Sequence, residues 1–435
     1  MNILKKIKAS AKIGKILRCN TSKIDQNMLK NTVQGYIDTK EKYLNVLKHN
    51  HAPLYILETS VLTKQANIFR NAFNRFLKET EYYYAVKSNN HPAVSKTMLN
   101  VGYGLEVSSG KELEQAIKLG AEKIIFNGPG KTVEELTLAV HNSEKVIVLM
   151  DSMGEFTRLE SIAQRYNKKV RTGVRIATTS KGLWQKFGIL PEQLNELWDK
   201  AQKSKTIQLQ GLQFHSSWNL TPQKQVAMIK KLGKIIKKLP VSFIDSLKFI
   251  DIGGGYWPHH GEWMHYSSTP VGIFKKALGF NKSNYMMHYI NRADHIEFFA
   301  KKISKAIIEY IYPLCKCKVF FEPGRWICND SMHLILSVVD KKNQHTVVTD
   351  AGTNAIGWER FEVDYFPVLN LTRPALKEQL CNIYGSLCTP HDVWGFSYWG
   401  TDINIDDILM IPMQGAYTYS LRQNFIKSIP EVVIL

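Results

Sequence analysis

No Cys-x-x-Cys pair occurs in this 435-residue chain, although it holds six cysteines. The tightest spacing, Cys315-Lys316-Cys317, points to neither a zinc site nor a disulfide framework. Free thiols in a reducing, cytoplasmic setting are therefore expected. No apolar run approaches the roughly 18 residues of a membrane-spanning helix. There is no internal repeat, low-complexity tract or Gly/Ser linker. What is present is a globular composition, with 44% apolar and 11% aromatic residues. It supplies a large core and excludes a disordered tail protein, a collagen-like repeat and a small disulfide scaffold.

Acidic residues are in deficit. Asp plus Glu number 38 against 57 Lys plus Arg, a formal net charge of +19. The imbalance is densest at the head, where Lys5, Lys6, Lys8, Lys12, Lys15, Arg18, Lys23 and Lys30 face only Asp25. Ile3, Leu4, Ile7 and Ala11 fall at helical spacing, so the head reads as a short basic amphipathic helix. Such a helix suits an anionic membrane surface, but a solvated extension or a dimer-packing arm is the preferred reading of a charge run. Lysines break any signal-peptide core, and arginine is too sparse for a transit peptide. Over the remainder, a positive field favours anionic cofactors and substrates; no nucleic-acid partner is expected.

Short β-branched or aromatic runs alternate with longer amphipathic stretches. The expected strands are Tyr82–Lys87, Gly104–Ser108, Lys123–Gly128, Val146–Asp151, Arg171–Ile176, Leu209–His215, Phe249–Gly255 and Val319–Gly324. Helical stretches separate most of them, and another, about Val61–Thr80, precedes the first. This pattern predicts an α/β fold, a (β/α)8 TIM barrel. The long gap Tyr256–Asn291 reads as an insertion after the seventh strand. Beyond Gly324 the strands Leu334–Asp340, His345–Asp350, Phe361–Leu371 and Asp407–Ile411 follow one another without helices, which predicts a C-terminal all-β domain. Four parts are expected: a basic extension over 1–45, a first β-domain strand over 46–62, the barrel over 63–325 and the β domain over 326–435.

Polar residues mark the strand ends: Lys87, Glu106, Asp151, His215, the Gly253-Gly254-Gly255 triplet and Glu322-Pro323-Gly324-Arg325. The C-terminal ends of barrel strands surround one mouth, where catalysis sits, and the loops after strands 7 and 8 often hold phosphate. Bare glycine N–H groups approach an anion closely, and Arg325 offers a forked donor. A lysine closing an apolar strand is expected to be desolvated and fit to condense with an aldehyde. Taken singly, each residue has a plainer use: an ion-paired lysine, a core histidine, a tight glycine turn. Their arrival together at the strand ends of one barrel favours a pyridoxal 5'-phosphate site, with Glu322 facing the pyridine nitrogen.

The motifs resemble the fold-type III pyridoxal-phosphate decarboxylases, the ornithine, arginine and diaminopimelate decarboxylase group with the alanine racemase-like fold. The resemblance runs from about Pro53 to Ile426. It rests on Tyr84-Ala85-Val86-Lys87-Ser88-Asn89, on Gly102 to Leu113 with Glu106 where the family usually has Asp, and on Ile125 to Lys131. Lys186-Phe187-Gly188, Gly211-Leu212-Gln213-Phe214-His215, Asp251 to Gly255 and Glu322 to Arg325 continue it. Asp350-Ala351-Gly352, Gly385-Ser386-Leu387-Cys388 and Gly415-Ala416-Tyr417 complete the ordered set. The resemblance implies that Lys87 holds the cofactor, with Glu106 beside it, and that His215 stacks on the ring. It also implies that Glu322 meets the pyridinium, while Gly254, Gly255, Gly324, Arg325 and Tyr417 surround the phosphate. Cys388 of a partner subunit would protonate the carbanion, so a homodimer with shared sites is implied.

The departures bear on substrate. Diamine-forming members carry an acidic residue after the cysteine, where this chain has Thr389, with Asp392 three positions on. The Arg-Pro pair of diaminopimelate enzymes is missing after Asp350-Ala351-Gly352; Arg360 stands in that stretch and is assigned to an anionic substrate tail, alongside Thr389 and Asp392 as substrate contacts. The insertion beginning Tyr256-Trp257-Pro258 resembles members that decarboxylate larger amino-acid conjugates, such as carboxylate-siderophore intermediates. The expected activity is decarboxylation of an L-amino acid or amino-acid conjugate other than a simple basic amino acid. The alternatives are a racemase, a diaminopimelate- or ornithine-type decarboxylase, and a non-catalytic homologue that binds a regulator.

Overall fold

Eight parallel strands close into a barrel in the computed structural model, which describes residues 21–179, 181–280, 285–357 and 363–435 together with Ser10, 12–14 and Ile16. In chain order they are Thr80–Ala85, Gly104–Val107, Ile124–Phe126, Val146–Met150, Val170–Arg175, Ile207–Gln213, Phe249–Asp251 and Lys318–Phe321. Each pairs with its sequence neighbour, and the last pairs back with the first through Phe321↔Tyr82. Tyr83, Ile125, Ile147, Leu149, Phe249 and Phe320 fill the interior, where the Phe249 and Phe320 rings stack at 4.5 Å. Gly211 makes room for them: a Cβ there would lie 2.2 Å from the Phe249 ring. Ser109, Thr132 and Ser152 cap the helices that follow three of the strands, the side-chain oxygens accepting from first-turn N–H groups left without intrahelical partners. Among the described residues, no helix is long and apolar enough to cross a membrane.

The barrel unit consists of Thr59–His259 and Ala293–Asn329, and a second unit gathers the described residues of Met1–Glu58, His260–Arg292 and Asp330–Leu435. The second unit holds an eight-stranded sheet in the order Thr346–Thr349, Glu378–Tyr384, Val393–Trp399, Leu369–Asn370, Ile408–Ile411, Met332–Asn343, Leu54–Leu57 and Glu431–Ile434. Leu54–Leu57 runs antiparallel to Met332–Asn343 and parallel to Glu431–Ile434. The expected strand over 361–371 shortens to Leu369–Asn370 within the described residues. The expected insertion also differs: His260–Arg292 belongs to the second unit, adding the strands Glu262–His265 and His288–Asn291.

The described part of the basic extension over 1–45 belongs to the second unit. Gln26–Asp38 and Lys40–Val46 are helices whose Leu29, Val33, Tyr43 and Val46 join Leu54, Ile56, Ile335 and Met410 in one core. Lysine density hid that apolar stripe. Buried polar contacts reinforce the attachment. Glu58 accepts hydrogen bonds from Tyr43 Oη (2.8 Å), Lys42 Nζ (2.6 Å) and His333 Nε2 (2.9 Å). Burial alone would raise this carboxyl, but the bonds from His333 and Lys42 outweigh it and bring it to about 2. A carboxyl lowered in the folded state contributes stability above its ordinary value of 4.5, and that contribution is lost as pH falls toward 2. Glu58→Gln should therefore cost about 1–3 kcal/mol at neutral pH, with the gap to wild type closing below about pH 4. Urea denaturation across that range checks it.

Candidate active site

The first barrel strand stops at Ala85, two residues before the expected end, and Val86–Ser88 form a single 3-10 turn that carries Lys87. Ser88 Oγ closes the turn by donating to Ala85 O at 2.6 Å. Lys87 Nζ is ion-paired to Glu106 on the second strand. The Glu106 side chain is fully enclosed, whereas that of Lys87 is 34% exposed. Ser108 Oγ donates to the other Glu106 oxygen at 3.2 Å. The lysine that closes this apolar strand is partly buried, and its amine stands at the mouth, held by a carboxylate whose extra methylene, relative to aspartate, lengthens its reach.

Across the mouth, Glu322 directly follows the eighth strand and is 1% exposed. Its Oε1 accepts from Gln213 Nε2 at 3.4 Å, while its Oε2 is buried without a hydrogen-bond partner. Oε2 lies 3.8 Å from His215 Nδ1. Burial pushes the Glu322 carboxyl upward, but His215, Lys87 and the neighbouring Asp251 more than offset it, so it is lowered overall. Asp251 moves the other way, raised well above its usual range by burial and by the Glu322 charge. The two buried carboxyls are thus pushed in opposite directions, Asp251 toward its neutral form and Glu322 toward its charged form.

His215 is fixed at both nitrogens. Nδ1 accepts from Gly254 N–H at 3.3 Å, and Nε2 lies 3.2 Å from Ser217 Oγ. The glycine triplet threads between this loop and the eighth strand. A Cβ on Gly254 would lie 2.1 Å from Glu322 O, and one on Gly255 2.1 Å from Ser216 O; Gly255 also has φ +83°. Only glycine fits such an approach. Asn219 ties the two loops together, its Nδ2 donating to Ser216 O (2.9 Å) and Gly254 O (3.4 Å). Gly324 packs on the lysine turn, where a Cβ would meet Ser88 Oγ at 2.7 Å. Arg325 opens the short helix Arg325–Cys328 with its guanidinium over the Trp257 ring.

The barrel unit thus brings Lys87, Glu106, His215, Gly254, Gly255, Glu322, Gly324 and Arg325 to the C-terminal ends of its strands. Cys388, Thr389, Asp392 and Tyr417 lie in the second unit, and Arg360 lies outside the described residues. Cys388 is exposed. Asp392 does not fit the substrate role assigned from sequence. It is 1% exposed, one oxygen accepting from Thr353 N (2.7 Å) and Oγ1 (3.0 Å) and the other from Leu387 N (2.6 Å). It holds the Cys388 loop against the Asp350-Ala351-Gly352 turn. Thr389 is half-buried beside it, and Tyr417 adopts φ +57°. Trp263 packs in the second unit's core. Asn219 and Gln213 received no role from the sequence. Neither had a distinguishing signal: Gln213 is one of three glutamines in its strand, with Gln208 and Gln210.

Residues 60–329 match the family model for the pyridoxal binding domain of pyridoxal-dependent decarboxylases. The diaminopimelate decarboxylase of Campylobacter jejuni is 26% identical over 401 residues, 88% of this chain and 90% of the relative. The 2-[(L-alanin-3-ylcarbamoyl)methyl]-2-hydroxybutanedioate decarboxylase of Staphylococcus aureus is 25% identical over 375 residues, 80% of this chain and 86% of the relative. Among solved structures, Helicobacter pylori diaminopimelate decarboxylase complexed with L-lysine superposes with TM-score 0.71 at 23% identity, covering 90% of this chain and 94% of the other. The lysine/ornithine decarboxylase of Vibrio vulnificus complexed with putrescine gives 0.69 at 22% identity, with 91% and 98% covered. The barrel and sheet described above are the alanine racemase-like fold of these structures. With the family model spanning well over half of its length, the chain belongs to the pyridoxal-dependent decarboxylase family.

Proposed function

We propose that the protein is a homodimeric pyridoxal 5'-phosphate enzyme that removes the α-carboxylate of an amino-acid conjugate bearing additional negative charge. The observation that carries the cofactor assignment is the buried Glu322 Oε2, which has no hydrogen-bond partner and faces the same mouth as Lys87. A buried anionic oxygen without a donor is costly, and a protonated ring nitrogen satisfies it. The residues fit the cofactor: Lys87 would hold its aldehyde end, Glu322 its ring nitrogen, and Gly254, Gly255 and Arg325 its phosphate. When bound, it supplies a ring that takes up the electron pair left as carbon dioxide departs.

The chain's own groups do the rest. His215 and Lys87 lower Glu322 while burial raises Asp251, which favours a charged Glu322 where the ring nitrogen would lie. His215, fixed at both nitrogens, holds one orientation beside Glu322. Glu106 holds Lys87 at the mouth, where its amine would anchor the cofactor's aldehyde end and the substrate amine would arrive. Cys388 of the partner subunit gives its Sγ proton to the substrate Cα, so that one carbon dioxide leaves and one proton takes its place. An anionic acceptor at the pyridine nitrogen disfavours racemisation, and retention of the full cofactor set disfavours a purely regulatory protein.

Three features support the conjugate. Thr389 replaces the acidic residue that would meet a distal amine. The net charge of +19 favours an anionic substrate. The Staphylococcus aureus relative acts on an amino acid joined to a hydroxy-dicarboxylate, as its name states. The diaminopimelate reading rests on the Campylobacter jejuni relative. The test incubates the purified protein with pyridoxal 5'-phosphate and measures carbon dioxide from L-lysine, L-ornithine, meso-diaminopimelate and citryl-diaminopropionate. Expected is release from the citryl conjugate about tenfold or more above the others. Preferential release from meso-diaminopimelate would overturn the conjugate assignment, and stereoinversion without gas would overturn decarboxylation.

A further inference from the structure

We infer that Cys315 and Cys317 are a redox-active dithiol, which closes to an intramolecular disulfide on meeting a low-molecular-weight disulfide of the glutathione kind. The inference stands apart from the cofactor reading and concerns the opposite end of the eighth strand from Glu322. The helix Ile296–Tyr310 ends before the pair and the strand Lys318–Phe321 begins after it, so neither cysteine lies in a helix or strand. Cys315 N donates to Ile311 O at 3.2 Å, which ties the first cysteine to the helix end. Lys318 N donates to Lys248 O at 2.9 Å, which ties the residue after the second cysteine to the chain entering the seventh strand. Between these anchors the two thiols turn to the same side, and their Sγ atoms lie 3.5 Å apart. Cys315 and Cys317 are 7% and 8% exposed, against 0% for Cys328, and Lys316 between them is exposed. The pair thus lies directly under the surface, within reach of a small solute.

Proximity divides the work between the two sulfurs. They share one hydrogen bond, which lowers Cys315 below the usual thiol range against the opposing effect of burial, while Cys317 is raised by the same bond. The thiolate is the nucleophile, so Cys315 reacts first. Its sulfur attacks one sulfur of the external disulfide, whose S–S bond breaks, and a small thiolate leaves. With Cys315 consumed, the interaction that raised Cys317 is gone. Cys317 then loses its proton and attacks the Cys315 sulfur, and the second small thiolate leaves. The two protein thiols lose two electrons, the external disulfide is reduced to two thiols, and the two protein protons pass to the leaving thiolates. A resolving thiol held this close outcompetes a second external one. A bond between positions two apart closes a loop of only three residues, and the stability gained by closing a loop falls with its length. The disulfide therefore adds little to the fold and opens again under reducing conditions, as a reversible modification does.

The experiment incubates the whole protein with oxidised glutathione, blocks the remaining thiols with iodoacetamide and maps the tryptic peptides by mass spectrometry. Lys316 makes the map decisive, because trypsin cuts between the two cysteines. Expected is the Cys317-Lys318 dipeptide joined to the peptide 306–316 by a bond that dithiothreitol releases. Alkylation of Cys315 and Cys317 should fall together, about tenfold or more faster than that of Cys328. Cys317→Ser should stop at a glutathione adduct on Cys315, whereas Cys317 in Cys315→Ser should react about tenfold more slowly. Lasting glutathione adducts on both cysteines of the wild type, without the joined peptide, would overturn the inference. So would a bond from either cysteine to another chain, or modification of Cys388 with both cysteines untouched. The wild-type map needs no substitution, so it decides the matter even where a variant fails to fold.

Discussion

Lys87→Ala should lower turnover by about 10³-fold or more, and borohydride treatment of the cofactor-loaded wild type should mark the peptide containing Lys87 and no other. The barrel offers a second buried lysine near the mouth, which makes this a discriminating experiment. Lys131 follows the third strand and is 4% exposed. Its Nζ is surrounded by Glu155 Oε1 (2.7 Å), Gly128 O (2.8 Å) and Leu149 O (2.9 Å). An ammonium with three acceptors and no opening cannot reach an aldehyde carbon, and freeing it would strand the buried Glu155 charge. Lys87 is paired to Glu106 with a third of its side chain exposed. Because Glu106 is fully enclosed, removing the lysine charge also destabilises the protein. Lys87→Arg separates the two effects, since it keeps a cation against Glu106 but cannot form the imine. It should melt near wild type and be equally inactive. A mark on Lys131, or residual turnover in Lys87→Arg above about a tenth of wild type, would contradict the assignment.

Much of this site is written locally in the chain. Strand ends with a polar residue after an apolar run, a triple glycine and a Glu-Pro-Gly-Arg turn announce where a parallel barrel must expose its chemistry, because side chains at those points have no apolar layer above them. What the sequence conceals is pairing. That Lys87 is held by Glu106, and that Asp251 and Glu322 meet as a buried pair whose carboxyls are pushed in opposite directions, are consequences of which strands become neighbours. Asp392 illustrates the same limit. An aspartate four positions after Cys388 looks available to a substrate, yet one oxygen accepts from Thr353 N–H in a turn some forty residues earlier and the other from Leu387 N–H in its own loop. The N-terminal helices were hidden for another reason. Their lysines lie on the exposed faces, and only the burial of Leu29, Val33 and Tyr43 shows that they belong to a core. The strands Glu378–Tyr384 and Val393–Trp399 escaped because both alternate irregularly, with register shifts after Leu380 and Ile383.

Two inactive variants, Lys87→Ala and Cys388→Ala, should regain about a quarter of wild-type turnover when their subunits are exchanged. The thiol that gives this prediction its force is exposed, yet it does not sit on a loose loop. Asp392 clamps the loop at Leu387 N (2.6 Å), Gly385 N donates to Asp392 O (2.8 Å), and Ser386 Oγ donates to Asp350 O (3.1 Å). A Cβ on Gly385 would collide with the Asp392 carboxylate at 2.3 Å, so the clamp depends on glycine there. A rigidly presented, solvent-facing cysteine is suited to a site completed by another copy of the chain. If each site takes Lys87 from one subunit and Cys388 from its partner, every homodimer of either variant has two defective sites. A mixed dimer has one site with both defects and one with neither. Random exchange makes about half the dimers mixed, and half their sites are intact, which yields the quarter. Cys388→Ala alone should retain at most about 1% activity, the usual cost of losing a positioned proton donor, so the recovery stands well above background. Differently tagged subunits recovered together prove that exchange occurred. With exchange proven, activity no higher than the average of the two variants would mean that each site is built within one subunit.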